Sequence, residues 1–91
     1  MKFEWDEVKR QANLKKHGVD FIVAARIMSR GTEWKHDGRR DYGENRYLVY
    51  GVDGGRLHVV VFSTRGEVVR IISVRKANKR ERREYEQPTA E

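Results

Sequence analysis

The stretch Arg46-Tyr47-Leu48-Val49-Tyr50-Gly51-Val52, Asp53-Gly54-Gly55, Arg56-Leu57-His58-Val59-Val60-Val61-Phe62-Ser63-Thr64, Arg65-Gly66, Glu67-Val68-Val69-Arg70-Ile71-Ile72-Ser73-Val74-Arg75 decides the fold. It holds three runs rich in β-branched and aromatic residues, separated by two glycine turns. Asp53-Gly54-Gly55 reads as a hairpin turn and Arg65-Gly66 as a second tight turn. The unbroken apolar run Val59 to Phe62 marks a central strand buried on both sides. The reading is an antiparallel meander of three strands.

Upstream, Phe3-Glu4-Trp5 alternates as a short strand does, and Asp6 is placed to cap a helix. Trp5, Val8, Ala12 and Leu14 make a loose apolar stripe on that helix, with Lys9, Arg10, Lys15 and Lys16 on its wetter sides. His17-Gly18 ends it, because glycine tolerates the left-handed C′ conformation. Asp20 caps a second helix, whose Phe21, Ala24, Ala25 and Met28 recur at helical spacing, widened by Val23 and Ile27. The short joint implies a helical hairpin. Between Gly31 and Asn45 the residues turn polar; Thr32 to Lys35 suits a strand, and Asp37 to Asp41 a loop. Lys76 to Gln87 reads as a helix, stopped by Pro88. The order is β-α-α-β-β-β-β-α over a single domain, residues 1–91. The expected class is α+β, an antiparallel sheet packed against an N-terminal helical hairpin with a C-terminal helix.

Charged residues make up 37% of the 91-residue chain and the net charge is +6. That balance suits a polyanion, an acidic membrane surface or an acidic protein partner. The absence of cysteine excludes disulfides and thiolate metal sites. No apolar run approaches the ~20 residues needed to span a bilayer, and no secretory signal is visible. The expected location is the cytoplasm.

RNA cleavage through its own 2′-hydroxyl needs a base, an acid and donors for the charged transition state. His17, Arg70, Arg75 and Tyr85 are candidates for that work; Lys15, Lys16, Lys76, Lys79 and Arg80 are candidates to guide RNA. Each has a plainer reading. His17 can simply complement a helix end. Arg70 can pair with Glu4 or Glu44. Arg80-Glu84 and Arg82-Glu86 stand at the i,i+4 spacing of a solvated, ion-paired face. Tyr85 suits core or site equally, and Tyr47 and Tyr50 are most simply sheet or core residues. In a regular strand Arg70 and Arg75 point to opposite faces, a constraint that a bulge would relax. His36-Asp37 and His58 are too scattered for a metal site, and no cofactor is expected.

Several segments together resemble the BrnT toxins of bacterial type II toxin–antitoxin systems. They are Phe3-Glu4-Trp5-Asp6, Asn13 to Phe21, Ala24-Ala25, Arg70 to Ala77, and Glu81-Arg82-Arg83-Glu84-Tyr85. The resemblance runs nearly end to end and is least distinctive from about Arg30 to Gly43. It implies a fold related to the RelE ribonuclease toxins and an endoribonuclease that arrests translation and growth. It also implies a BrnA-like antitoxin that neutralises the toxin in a heterotetramer and contacts operator DNA through its own DNA-binding part. The family's K-H-G motif falls on Lys16, His17 and Gly18. Its R-I-I-S-x-R falls on Arg70, Ser73 and Arg75, and its E-R-x-x-Y on Glu81, Arg82 and Tyr85. The residues alone also suit a non-catalytic nucleic-acid-binding module or a protein-interaction domain matched to an acidic partner.

Overall fold

Two-residue glycine turns shape the centre of the chain. In the computed structural model, which describes residues 2–30, 35–36 and 45–86, Gly54 (φ 59°), Gly55 (φ 75°) and Gly66 (φ 60°) adopt the left-handed conformation those turns require. The elements are β1 (Lys2–Glu4), α1 (Glu7–His17), α2 (Phe21–Ser29), β2 (Lys35–His36), β3 (Arg46–Asp53), β4 (Arg56–Arg65), β5 (Val68–Lys76) and α3 (Lys79–Glu86). The order is β-α-α-β-β-β-β-α, as the sequence predicts. Asp37 to Asp41, read as a loop, lies outside the described residues, as do Thr32 to Trp34, Glu44, Gln87 and Pro88.

The five strands lie in the order β1-β5-β4-β3-β2. The meander β3-β4-β5 is antiparallel, and so is the β2–β3 pair. β1, however, runs parallel to β5, with Lys2 opposite Val68 and Glu4 opposite Arg70. The sheet is therefore mixed, and the expectation of a purely antiparallel sheet is corrected. The reason is topological. The α1–α2 hairpin carries the chain over one face, so β1 and β3 run the same way, and β5 shares their direction.

Both helix caps expected of aspartate are present. Asp6 Oδ1 accepts from the Val8 and Lys9 backbone N–H groups, and Asp20 Oδ1 from that of Ile22. Gly18 (φ 70°) closes α1, its N–H donating to Leu14 O. The core lies between α2 and the sheet: Phe21, Ala24, Ile27 and Met28 pack on Val49, Val60, Phe62, Val69, Ile71 and Val74. Trp5 meets Phe21 edge to face at 6.0 Å, and Tyr47 stacks on Phe62 at 5.6 Å. β4 is buried from Leu57 through Ser63, as its apolar run implies.

The apolar stripe read on α1 does not form its buried face. Val8 is 78% exposed and Leu14 and Ala12 are exposed, while the one buried residue of α1 is Asn13. α1 lies along the sheet edge, beyond the end of β1, where β5 has no strand neighbour. Asn13 supplies the missing partner. Its Nδ2 donates to Val74 O (2.8 Å) and Val19 O (3.0 Å), and its Oδ1 accepts from Val74 N (3.4 Å). A buried strand edge needs hydrogen bonds more than methyl groups. The last helix begins at Lys79 rather than Lys76, because Lys76 still pairs with His58 and Ala77 N–H still donates to Leu57 O. Among the described residues no helix is long and apolar enough to cross a membrane.

Candidate functional site

A break in strand register organises the face of the sheet away from α1 and α2. Val61 pairs with Ser73, but the next residue of β4, Phe62, pairs with Ile71. Ile72 is thus the extra residue of a β-bulge. The core explains it. Val69, Ile71 and Val74 all face the helices, a spacing that a regular strand cannot satisfy. The bulge restores Val74 to the core, and in doing so turns Ser73 and Arg75 to the same face as Arg70. The opposition expected of Arg70 and Arg75 in a regular strand is removed.

Cross-strand register then defines three rows on this second face. The first holds Glu4, Arg70, Ser63 and Arg46; the second Ser73, Val61 and Leu48; the third Arg75, Val59 and Tyr50. Arg70 Nη1 lies 3.5 Å from Glu4 Oε2, and Arg70 remains about one-third exposed. The plainer reading of Arg70 as a partner of Glu4 is thus present in the geometry, at a long and accessible distance.

Helix α3 crosses the third row. Glu81 is its anchor, and it does two jobs. It forms a capping box with Asn78: Asn78 N–H donates to Glu81 Oε1 (2.9 Å) and Glu81 N–H to Asn78 Oδ1 (2.8 Å). It also receives the Arg75 guanidinium end-on, Nη1 to Oε1 at 2.7 Å and Nη2 to Oε2 at 2.8 Å. One turn later the Tyr85 ring reaches Tyr50, centroids 5.9 Å apart, with Tyr85 still half exposed. The α3 residues Lys79, Arg82, Arg83 and Glu86 line a shallow cleft of about 290 Å³, and Arg82 Nε is buried there without a hydrogen-bond partner.

His17 ends α1, half-buried. Partial burial, then the charges of Lys16 and Arg75, push its pKa below the ordinary histidine value of 6.5. The imidazole is therefore uncharged at neutral pH, and its sensitivity to Arg75 places it within electrostatic reach of the site. Lys15 and Lys16 are exposed beside it in the last turn of α1, and Lys76 is exposed at the end of β5. Lys79 is exposed at the start of α3, whereas Arg80 points to solvent and pairs with Glu84 at 3.2 Å. The structure thus brings Arg70, Ser73, Arg75 and Tyr85 to one face, with His17 near Arg75. Arg80 stays outside that group as part of the ion-paired face its spacing predicts.

Arg46 and Ser63 are site-face residues that sequence reasoning passed over. Their signal was available: both turns are two residues long, so counting back from them places Arg46, Ser63 and Arg70 opposite one another. Among the described residues no group of three or more histidine, aspartate or glutamate side chains is gathered as metal ligands are.

Comparison with known proteins bears on this arrangement. The family model described as the ribonuclease toxin BrnT of type II toxin–antitoxin systems matches residues 5–81. That span includes Asn13, the K-H-G segment, strands β2 to β5 and Glu81, while Glu4 and Tyr85 lie outside it. No curated protein matches the chain.

Proposed function

The chain belongs to the BrnT family of ribonuclease toxins from type II toxin–antitoxin systems, and on that premise we propose that it cleaves RNA at the sheet face bearing Arg70 and Arg75, without a metal ion, and so arrests translation. The observation that carries this reading is the bulge at Ile72, which gathers Arg70, Ser73 and Arg75 on one face beneath the helix bearing Tyr85.

The chemistry such a face can perform is in-line transfer. The 2′-oxygen bonds to phosphorus as the P–O5′ bond breaks, leaving a 2′,3′-cyclic phosphate and a 5′-hydroxyl. A base takes the 2′-hydroxyl proton, and an acid returns one to the departing 5′-oxygen. His17, neutral at physiological pH, suits the base. Tyr85, half exposed and held by Tyr50, suits the acid. Arg70 offers its fork to the phosphoryl oxygens as negative charge builds. Arg75 is oriented by Glu81 and adds its permanent positive charge to the same face. Exposed Lys15, Lys16, Lys76 and Lys79 extend the positive field that draws the polyanion in, with Arg80 contributing least.

A toxin with an exposed cationic face is readily controlled by covering it. A BrnA-like antitoxin with a complementary acidic segment would occupy the same surface, in a heterotetramer in the cytoplasm, and bring the complex to operator DNA through its own DNA-binding part. RNA incubated with the purified chain tests the proposal. Cleavage should persist in EDTA, fall at least a hundredfold in Arg70→Ala, Arg75→Ala and His17→Ala, and cease when antitoxin saturates the toxin. Cleavage unchanged in all three variants would place the site elsewhere. Tight RNA binding without scission at any protein concentration would mark a binding module instead.

A further inference from the structure

We propose that the cavity between β3 and α3, walled by Tyr50, Glu81, Glu84 and Tyr85, receives a guanine base of the RNA, that of the nucleotide following the bond being cut. The inference rests on the ribonuclease reading and gives it a base preference, with Glu84 as the residue that reads the base.

Glu81, Glu84 and Tyr85 are spaced i, i+3 and i+4, so they share one side of α3. That side faces the sheet, since Glu81 meets Arg75 and Tyr85 meets Tyr50. Tyr50 reaches them from β3, packed with Leu57, Val59 and Ala77. Together the four side chains partly enclose about 160 Å³. The two rings lie 5.9 Å apart at a tilt of 39°. A base between them would need about 7 Å, two van der Waals contacts, so it stacks against the pair, on the half-exposed Tyr85 ring. Aromatic faces of this kind hold single-stranded bases.

The choice of base comes from the carboxylates. Glu81 is engaged by Arg75 and by the Asn78 N–H. Among the described residues Glu84 pairs with Arg80 alone, at 3.2 Å, in a pair whose side chains are 84% and 60% exposed for Arg80 and Glu84. A pair so exposed contributes little, so Glu84 can turn from Arg80 to a base edge. A carboxylate accepts two parallel N–H donors. Guanine offers such a pair, N1–H and N2–H, on its Watson–Crick edge, whereas the other bases set an acceptor beside each donor. A cationic side chain of a protein partner would also match two rings and two carboxylates. Exposed Lys76, Lys79 and Arg83 repel such a cation, while they draw in a neutral base carried on an anionic chain. Tyr85, proposed to protonate the departing 5′-oxygen, is itself a wall of the cavity. The base is therefore assigned to the nucleotide that carries that oxygen.

Fully 2′-O-methylated oligouridines, which cannot be cut, measure the cavity apart from catalysis when they carry one central guanine, adenine or cytosine, or none. Affinity is read at about 50 mM KCl, where phosphate contacts hold every strand. The wild type should bind the guanine strand about tenfold more tightly than the other three. Glu84→Gln, at an exposed position, should bring that strand level with them. Tyr85→Leu should weaken the guanine strand about tenfold, and Tyr85→Phe, which keeps the ring, should not. If Tyr85→Leu loses the helical signal of α3, Glu84→Gln decides the matter. Equal wild-type affinity for the four strands, a preference for another base, or a guanine preference that survives Glu84→Gln overturns the proposal. So does wild-type affinity in a folded Tyr85→Leu. An acetylated oligoarginine peptide probes the other occupant. Saturable binding of that peptide that depends on Glu84, with no base preference in the RNA strands, gives the cavity to a protein partner and overturns the proposal. Cleavage of unmodified RNA by the wild type is scored separately. Cuts followed by guanine support the assignment. Cuts with no guanine preference on their 3′ side keep the ribonuclease and remove the guanine site. Glu84-dependent guanine binding without scission keeps the guanine site and removes the ribonuclease. A wild type that does not bind RNA removes both.

Discussion

Arg75 and Glu81 face each other through two parallel hydrogen bonds of 2.7 and 2.8 Å, and through them the last strand holds the last helix. No residue of α3 is buried, so apolar packing contributes little to its attachment. A short helix of this kind is marginal without tertiary support.

Removal of the Glu81 side chain should therefore detach α3. Glu81→Ala deletes both the capping box and the paired charge, each partner being mostly covered. A cost of about 2 kcal/mol is expected in urea unfolding, with a loss of helical signal in circular dichroism. Glu81→Gln keeps an acceptor for Asn78 N–H and should cost about half as much. A change below about 0.5 kcal/mol in Glu81→Ala would show that α3 is held by other contacts.

Asn13 supports β5 from its other edge. Its amide is the partner of both the Val74 N–H and C=O groups and also binds Val19 O. Asn13→Ala leaves buried backbone groups without partners, at a cost of about 2 to 3 kcal/mol. Asn13→Asp should be worse, since a carboxylate oxygen would replace the donor that meets two carbonyls. Hydrogen exchange at the Val74 amide, faster in both variants, separates this local effect from general destabilisation.

These two anchors mark the limit of what local pattern reveals. The meander was legible because Gly54-Gly55 and Gly66 dictate tight turns and the apolar runs between them are long. The α2 face was legible because Phe21, Ala24, Ile27 and Met28 repeat at helical spacing. Asn13 was hidden, because a periodicity argument searches α1 for apolar residues while the sheet edge beside it demands a donor and an acceptor. The bulge at Ile72 was hidden for a related reason. Its cause is competition between strand parity and the burial of Val74, visible only once Val69, Ile71 and Val74 are known to share one core. The parallel pairing of β1 depends on which edge the chain returns to, and three residues carry no such information. The site inherited each of these. Arg70 and Arg75 were recognisable as candidates, but their common face was not.

Gly51 is constrained by contact rather than by turn geometry. A Cβ at this position would overlap the Ile27 side chain of α2. Gly51→Ala should destabilise the protein by about 2 kcal/mol by pushing α2 from the sheet. Combining it with Ile27→Ala, which removes the overlapped atoms, should cost measurably less than the sum of the two single changes. Simple additivity in a double-mutant cycle would show that α2 does not approach the sheet at this point.

Acid should weaken the fold through histidine before it does so through carboxylates. His17 and His58 both have folded pKa values below the ordinary 6.5, for which burial is the first cause. Positive neighbours act in the same direction: Lys16 and Arg75 at His17, Lys76 and Arg56 at His58, where the Arg56 carbonyl and Asp53 oppose the shift. The Nδ1 of His58 lies 2.8 Å from Arg56 O, a contact that favours the protonated ring and so limits the lowering that burial causes. A lowered folded pKa means that the unfolded chain binds more protons. Stability is then full above pH 6.5 and is lost as pH falls from there through the folded values. Asp53, depressed below its ordinary 3.8 by Arg26 and Arg30, and Glu7, lowered to about 2 by Arg10, keep their charge across this window. Between pH 7.5 and 5.5 the urea midpoint should therefore fall. It should fall less in His58→Asn and in His17→Asn, and least in the double variant. A midpoint that rises toward pH 5.5 would reverse the sign of this linkage. Cleavage by the wild type should decline over the same acid range as His17 gains its proton, and that decline should be lost from whatever activity His17→Asn retains.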